Sequence, residues 1–255
     1  MTLEFFNYLI YGMTCLAVVV FVSLYFVTAG YGQFRTRRWG LSINNRVAWT
    51  LMEAPVFMVM LYIWWQSPLK WVLPQLVLFA LFQLHYFQRS FVFPWLMTGR
   101  SRMPVAIMLM GITFNVINGV MQGGGLYWFP NPDFQEGAAY LLRWNAVVGI
   151  LLFLVGLAVN WQSDRVIRHL RKPGDTKHYL PQGGMYRYVT SANYLGELME
   201  WVGFALAAHT VVAWVFPLWT AANLVPRAHA IHKRYREEFG DEAVGRRKRV
   251  IPFVY

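Results

Sequence analysis

The stretch from Asn160 to Trp201, NWQSDRVIRHLRKPGDTKHYLPQGGMYRYVTSANYLGELMEW, is polar, whereas most of the surrounding chain is apolar. Two of its carboxylates, Glu197 and Glu200, nevertheless have membrane-like neighbours such as Leu198 and Met199. A carboxylate inside a membrane span costs about 2.5–3.5 kcal/mol even on the most lenient insertion scale. We therefore expect a polar partner for these acids, and a charged ligand for the stretch as a whole.

The composition of the whole chain is that of a helical integral membrane protein. Its 255 residues are 57% hydrophobic and 14% charged, against about 25% charged residues in soluble domains. The apolar residues form long uninterrupted runs, whereas the strands of a membrane barrel would alternate. The net charge of +11 resides in the loops between these runs, which favours a topological role over nucleic-acid binding. A single cysteine, Cys15, excludes a disulfide framework.

The apolar runs predict an all-α fold with seven transmembrane helices in a single domain. The predicted spans are approximately 5–30, 47–65, 71–96, 103–120 and 141–161, followed by two short spans within 194–224 that are separated near His209 or Pro217. Lys and Arg are concentrated in residues 31–46, 99–102, 162–190 and 226–255. This alternation predicts an N-terminus outside and a cytoplasmic C-terminus, with the polar stretch in the cytoplasm.

Two helical spacings within the polar stretch predict polar faces. One face, at i, i+4, i+8 and i+11, consists of Asn160, Asp164, Arg168 and Arg171. It is either a solvated helix end with local ion pairs or a binding wall, in which arginines hold phosphates and Asn and Asp hold ribose hydroxyls. The second face, at i, i+4 and i+7, consists of Asn193, Glu197 and Glu200.

Glu53 and Tyr86 are polar groups in two neighbouring predicted spans. Glu53 is followed by Pro55, which frees a backbone carbonyl in its helix. The acid either makes a structural hydrogen bond to another span or serves as a proton or hydrogen-bond donor. Tyr86 is either a packing residue or converges with Glu53. A phenol and a carboxyl group can together donate hydrogen bonds to a carbonyl oxygen and thereby polarise the carbonyl group.

The C-terminal region carries a second group of basic residues. Arg227 follows the last predicted span and is a candidate for phosphate binding, whereas the run 246–249, RRKR, predicts a lipid headgroup anchor. Neither the dinucleotide fingerprint G-x-G-x-x-G after a strand nor a P-loop motif occurs in the sequence. Standard nucleotide-binding folds are therefore excluded.

Several motifs resemble the steroid 5α-reductase family. They are RKPG at 171–174, LPQGGMYRYV at 180–189, ANYLGELMEW at 192–201, MEAP at 52–55, HYFQRSFV at 85–92, NGVMQG at 118–123 and IPF at 251–253. The resemblance covers nearly the whole chain, and the C-terminal motif is the most specific. It implies a seven-helix membrane enzyme that uses NADPH to reduce the 4,5 double bond of a 3-oxo-4-ene steroid by hydride transfer to the β-carbon.

The resemblance also implies roles for individual residues. Glu53 and Tyr86 would hold the 3-oxo group, with Trp49 and Met52 beside the substrate. The implied NADPH contacts are Tyr31, Arg100, Asn160, Asp164, Arg168, Arg171, Asn193, Glu197, Arg227, His232 and Tyr235. Residues 1–125 would form mainly the substrate pocket, and residues 141–255 mainly the NADPH site. The expected partners are a steroid or steroid-like lipid and membrane lipids, without nucleic acid, and the expected state is a monomer.

The sequence departs from the family pattern at four positions. Where the family has Gln, this chain has Met52, and where the family has His, this chain has Ile231. Met110 and Tyr179 each stand where the family has Arg. Two other classes remain open: a membrane methyltransferase using S-adenosylmethionine, and a non-catalytic lipid-binding membrane protein. Glu53 and Tyr86 favour the reductase, since a methyltransferase needs no pair of side chains that hydrogen-bond a substrate carbonyl. We expect a bacterial member in the inner membrane; a eukaryotic one would reside in the endoplasmic reticulum.

Overall fold

The computed structural model describes residues 1–27, 39–97, 101–170, 175 and 177–255. Three predicted cofactor contacts, Tyr31, Arg100 and Arg171, lie outside the described residues. In chain order the elements are α1 (Leu3–Phe26), β1 (Ser42–Asn44), α2 (Asn45–Gln66), α3 (Leu73–Phe87), α4 (Phe93–Leu96), β2 (Arg102–Pro104), α5 (Val105–Tyr127), α6 (Ala138–Leu141), α7 (Trp144–His169), α8 (Ala192–Ala208), α9 (Val211–Phe239) and α10 (Asp241–Val244). A π-helical turn, Gln88–Val92, joins α3 to α4, and 3-10 turns cover Pro132–Glu136 and Gly184–Arg187.

Five helical segments among the described residues are long and apolar enough to cross a membrane. They are Leu3–Phe26, Asn45–Gln66, Leu73–Leu96, Val105–Tyr127 and Trp144–His169. This result confirms a helical, multi-pass membrane protein, and the five segments correspond to the first five predicted spans. The paired strands β1 and β2 are antiparallel, with Ser42 opposite Pro104. They precede α2 and α5 directly and thereby hold the starts of these two helices together.

The end of the fourth predicted span was wrong, because α5 continues past residue 120 through three consecutive glycines to Tyr127. Glycine usually weakens a helix, but here it permits close contact between helices. A Cβ on Gly124 would lie 2.8 Å from the ring of Phe6 in α1, and one on Gly125 would lie 2.3 Å from Val212 in α9. Tertiary contact therefore outweighs the low helix propensity of these residues.

The region predicted to hold two short spans forms a helical hairpin, α8 and α9. The break is at His209, which has a left-handed backbone with a φ of 50°. Pro217 and Pro226 lie inside α9, which continues to Phe239 rather than ending near residue 224. The basic segment after Arg227 is thus helical for a further three turns, and it extends the polar face of α9 beyond the apolar part.

Helices α7 and α8 approach each other closely along a line of glycines. A Cβ on Gly149 or Gly156 of α7 would lie 2.5 to 2.6 Å from the backbone of α8. The reciprocal positions on α8, Gly196 and Gly203, would meet the backbone of α7 at 2.5 Å. Small residues are the usual means by which membrane helices make close backbone contact. This contact fixes the register of the polar residues at the ends of both helices.

The core at the centre of the helices is aromatic. Trp201 of α8 is fully buried, and its ring lies 4.1 Å from that of Phe216 and 5.6 Å from that of Phe82. A second apolar cluster joins α1 to α9, where the indole Nε1 of Trp219 donates a hydrogen bond to the carbonyl of Met13 at 2.9 Å. Helices α3, α8 and α9 therefore meet around one ring system, next to which the polar side chains lie.

Candidate active site

Glu53 projects from the middle of α2 toward α5. The amide Nδ2 of Asn115 donates to the backbone carbonyl of Met52 at 2.7 Å and lies 3.3 Å from Oε2 of Glu53. Asn115 is itself buried. One side chain of α5 thus fixes both the backbone and the carboxylate of α2, which satisfies the need of a polar group for a partner inside a membrane span.

Tyr86, near the end of α3, is 3% exposed. The side chain of Asn118, whose Nδ2 has no hydrogen-bond partner in the structure, lies near its phenol, and the carboxylate of Glu53 interacts electrostatically with it. The ring is stacked on Phe216 at 13° and a centroid distance of 6.4 Å. Because Asn115 and Asn118 are three residues apart on one face of α5, Glu53 and Tyr86 converge on the same helix surface.

Arg89 is the functional candidate that the sequence reasoning missed. It lies in the π-helical turn and is 12% exposed, with Nη1 3.5 Å from Oδ2 of Asp164 and Nη2 3.5 Å from Oε2 of Glu197. Glu53 also interacts with it electrostatically. Arg89 therefore connects the carboxylate of α2 with those of α7 and α8. The available signal was an ionisable side chain within an apolar span, which is a functional candidate by default.

Two aromatic rings enclose the guanidinium of Arg89. Its Cζ lies 5.1 Å from the ring centroid of Trp49 and 4.8 Å from that of Phe93. The indole Nε1 of Trp49 is buried without a hydrogen-bond partner in the structure. Cation–π contacts strengthen when the cation is removed from water. The predicted substrate contact Trp49 thus lies directly beside the central arginine.

The ends of α7 and α8 form a polar cluster of Asn160, Asp164, Asn193 and Glu197. Asn160 Nδ2 donates to the backbone carbonyl of Asn193 at 3.1 Å, and Asn193 Nδ2 donates to Asp164 Oδ1 at 3.4 Å. Tyr186 donates from its hydroxyl to Asn193 Oδ1 at 3.5 Å. Asn160 and Asp164 of the first predicted face therefore lie opposite Asn193 of the second, next to the glycine contact of α7 and α8.

Glu200 belongs to a separate pair rather than to this cluster. It is fully buried, and its Oε2 lies 2.6 Å from Nδ1 of His85, which is 3% exposed. The other oxygen, Oε1, has no hydrogen-bond partner in the structure. The ring of His85 lies 4.6 Å from that of Trp201. The two membrane-like acids of the polar stretch thus have different partners: Arg89 for Glu197 and His85 for Glu200.

The predicted contacts on α7 and α9 have individual neighbours. Arg168 interacts electrostatically with Asp164, and Arg227 Nε donates to the Tyr194 hydroxyl at 3.0 Å. Tyr235 interacts with Tyr186. These contacts bring α9 to the end of α8 that carries the polar cluster.

His232 differs from the other α9 contacts. Its Nδ1 is 3.2 Å from Oγ1 of Thr190. The side chain of His232 also borders a cavity, which lies on a different face of α9 from Arg227. Burial, followed by the positive charge of Arg249, lowers the pKa of His232 below 6.5. His232 therefore favours its neutral form near neutral pH.

The four departures from the family pattern have different surroundings. The side chain of Met52 covers Gly111, where a Cβ would lie 2.4 Å from its sulfur. Met110 is 62% exposed, whereas Ile231 is buried. The hydroxyl of Tyr179 donates to Oδ2 of Asp175 at 2.7 Å. Met52 therefore closes the surface between α2 and α5 with an apolar side chain next to Glu53.

Comparison with known proteins identifies the family. Residues 101–255 match the model of the family described as 3-oxo-5-alpha-steroid 4-dehydrogenase. The chain is 34% identical over 254 residues to the steroid 5-alpha-reductase DET2 of Gossypium hirsutum, with 98% of this chain and 97% of that protein covered. It is 35% identical to 3-oxo-5-alpha-steroid 4-dehydrogenase 1 of Bos taurus, with coverage of 96% and 95%.

A third relative is 3-oxo-5-alpha-steroid 4-dehydrogenase 2 of Homo sapiens, which is 39% identical over 211 residues. That alignment covers 82% of this chain and 81% of the human protein. The resemblance inferred from the motifs is confirmed by these matches, which extend over nearly the whole chain. The chain therefore belongs to the 3-oxo-5-alpha-steroid 4-dehydrogenase family, also named steroid 5-alpha-reductase, and is a membrane oxidoreductase.

Proposed function

We propose that this protein reduces the 4,5 double bond of a 3-oxo-4-ene steroid, or of a similar lipid enone, with NADPH as the cofactor. The observation that carries the proposal is the convergence of Glu53 and Tyr86 on one face of α5, beside Asn115 and Asn118. Two hydrogen-bonding groups from different spans meet here in an apolar environment. Such a pair suits a ligand that is apolar overall and has one carbonyl oxygen.

The proposed chemistry of the pair is polarisation of the 3-oxo group. Hydrogen bonds from Glu53, in its protonated form, and from the Tyr86 phenol draw electron density toward the oxygen and make the β-carbon electrophilic. They also stabilise the negative charge that develops on that oxygen in the transition state. Asn115 keeps Glu53 oriented through its hydrogen bond, and stacking on Phe216 keeps the ring of Tyr86 in place, so little reorganisation is needed during the reaction.

The polar cluster fits the donor set that a reduced nicotinamide dinucleotide requires. Amides and carboxylates, supplied by Asn160, Asp164, Asn193 and Glu197, suit ribose hydroxyls and a carboxamide. Arg168 and Arg227 lie at the same end and suit phosphate groups. When bound there, the cofactor supplies the hydride that reduces the β-carbon. Arg89 contacts two of these acids and interacts with Glu53, so it joins the cofactor side to the substrate side.

The proposed arrangement in the membrane has seven spans, with α8 and the apolar part of α9 as the sixth and seventh. The N-terminus is then outside and the C-terminus cytoplasmic, because the basic loops alternate with loops that carry few Lys and Arg residues. Residues 1–125 contribute mainly to the substrate pocket and residues 141–255 mainly to the cofactor site. The polar cluster would then open to the cytoplasm, where dinucleotides are soluble.

The proposal is tested with Glu53→Gln and Tyr86→Phe, assayed for reduction of a 3-oxo-4-ene steroid in detergent or vesicles. Loss of one transition-state donor is expected to lower turnover by about 10²–10³-fold, whereas binding of NADPH should persist. Glu4→Gln and Tyr62→Phe are matched controls at exposed positions, and they should retain full activity. Near-normal turnover in both Glu53→Gln and Tyr86→Phe would show that these two residues do not hold the 3-oxo group.

The cofactor is identified by releasing bound small molecules from the purified protein and measuring their mass. NADP(H) is the expected result. S-adenosylmethionine or its demethylated product would instead support the methyltransferase alternative. Titration of the purified protein with each compound, followed through thermal stability, provides the same distinction if no small molecule copurifies, since a ligand stabilises the state that binds it.

A further inference from the structure

A basic cavity of about 430 Å³ lies between the C-terminal half of α9 and the last residues of the chain. Its basic lining residues are His229, His232, Lys233, Arg236 and Arg249. The first four recur at i, i+3, i+4 and i+7 and therefore form one stripe of the helix. The cavity is thus built from one face of α9 and from Arg249 of the C-terminal segment.

Two of the cations in this cavity already have acidic partners. Lys233 Nζ lies 3.9 Å from Oε1 of Glu237, and Arg236 Nε donates to Oδ1 of Asp241 at 2.5 Å. Arg249 has no acidic partner among the described residues, and its guanidinium lies over the ring of Tyr255 at 4.7 Å. Its Nε is buried without a hydrogen-bond partner. A buried donor of this kind is destabilising until an acceptor meets it.

The four basic residues of the RRKR run have different surroundings. Arg247 donates to the carbonyls of Val244 and Pro181, each at 3.0 Å, and so holds the C-terminal segment in place. Arg246 and Lys248 are exposed. The lipid headgroup anchor remains a prediction for the run as a whole, and of its four residues Arg249 lines the cavity.

The cavity lies on a different face of α9 from the proposed cofactor contact Arg227. This residue precedes His229 by two positions, which is about 200° around the axis of an α-helix. It contacts Tyr194 of α8, whereas the ring of His229 lies 5.7 Å from that of Tyr25 at the end of α1. The Tyr25 hydroxyl is in turn 3.2 Å from the hydroxyl of Tyr255.

We propose that this cavity is a binding site for a phosphate group, held by Arg249 with help from Lys233 and Arg236. Phosphate oxygens would accept from the guanidinium of Arg249, which suits phosphate because it donates in a fork. The group comes either from a phospholipid headgroup or from free phosphate. The cavity adjoins the end of α1 through the contact between His229 and Tyr25, and a helix that spans a bilayer ends near the headgroups. It is additional to the cofactor site proposed above.

Both sources are tested with the full-length protein purified into phosphate-free buffer. In one arm, inorganic phosphate is titrated and binding is followed by calorimetry. In the other, the protein is reconstituted in nanodiscs of phosphatidylcholine, with or without phosphatidic acid, and native mass spectrometry counts the phosphatidic acid molecules retained. Wild type and Arg246→Gln are expected to bind one phosphate group per chain in at least one arm. Arg249→Gln should bind at least about tenfold more weakly.

The two arms together show whether the site exists and which source supplies the phosphate group. Binding in the lipid arm alone assigns a headgroup site, and binding in the phosphate arm alone assigns a site for free phosphate. Absence of binding in both arms overturns the proposal, as does an equal loss in Arg246→Gln and Arg249→Gln. Stoichiometric displacement of phosphate by NADP⁺ would show that the cavity belongs to the cofactor site. If Arg249→Gln is not recovered folded, Lys233→Gln provides the same comparison with Arg246→Gln.

Discussion

Two arginines in this protein each face two carboxylates, but in very different surroundings. Arg89 is 12% exposed within the helical bundle and faces Asp164 and Glu197. Arg143 is 40% exposed at the start of α7 and forms ion pairs with Asp133 and Glu136. The partners of Arg143 are ten and seven residues away, whereas those of Arg89 come from two other helices.

The difference shows how burial changes the contribution of an ion pair to stability. At the surface, water and salt screen the charges, so such a pair contributes little to stability. Inside the protein, the charges have lost their hydration, and each depends on the others for compensation. Arg143 orders a loop, whereas Arg89 holds together α3, α7 and α8 at the point where the proposed substrate and cofactor sites meet.

The largest effect is expected from Arg89→Met, which removes the cation nearest to the buried Asp164 and the partly buried Glu197. Removal of one partner from a buried ion pair costs about 3–5 kcal/mol, so the thermal unfolding temperature in detergent should fall sharply. The variant Arg143→Met serves as the surface control. Adding Asp164→Asn and Glu197→Gln to Arg89→Met should restore much of the stability without restoring activity. A triple variant as unstable as Arg89→Met would contradict this account.

The next effect concerns the buried pair His85 and Glu200. Their contact of 2.6 Å is isolated from water, so Glu200→Gln and His85→Gln should each destabilise the protein. The two changes should be coupled, with an interaction energy of at least about 1 kcal/mol in a double-mutant cycle. Equilibrium unfolding of the two single variants and the double variant measures this energy. Additive effects would mean that the two side chains do not stabilise each other.

A smaller effect is expected from Arg143→Ala, because its partners are exposed and remain solvated. Steroid reduction should be unchanged, and the loss of thermal stability should be a small fraction of that in Arg89→Met. Raising the salt concentration to about 1 M should abolish the difference between Arg143→Ala and wild type, since the Debye length is then about 3 Å. A salt-independent difference would indicate a role for this loop beyond the surface ion pairs.

The smallest effect is a pH dependence from His232, which is neither fully buried nor fully exposed. Burial and the charge of Arg249 lower its folded pKa below 6.5, so the unfolded chain binds its proton first as the pH falls. Stability should therefore decrease as the pH drops below about 6.5 and level off below the folded pKa. His232→Gln should flatten this dependence in phosphate-free buffer. An unchanged slope would assign the dependence to another group.

The sequence was sufficient for the fold class, a helical multi-pass membrane protein, and it singled out acids at apolar positions that the structure places inside the helical bundle. Long apolar runs identified the first five membrane segments, because a bilayer requires about 20 apolar residues in a row. Helical spacing predicted the face of Asn160 and Asp164, and the cost of a buried carboxylate singled out Glu53. The apolar runs predicted the end of α5 wrongly, because the glycines at 123–125 pack against neighbouring helices and so remain helical.

The partners of those acids could not be predicted from spacing. Arg89 reaches α7 and α8 from a π-helical turn, and no pattern in the sequence QRSFV specifies which residue such a turn presents. Nor did the sequence distinguish Glu197 from Glu200, although they are three residues apart on one helix. The first faces Arg89 and the second faces His85, because α8 packs against two different parts of α3 and the turn after it.

The sequence by itself determined that this protein is a helical membrane protein of the steroid 5-alpha-reductase family with acids inside its spans. Local composition is enough for that conclusion, since apolar length and the cost of burying charge depend on few neighbouring residues. The tertiary structure alone decided which cation compensates each acid and which arginine of the RRKR run faces a cavity. Those contacts join residues far apart in the chain, and the close approach of α7 and α8 at their glycines sets their geometry.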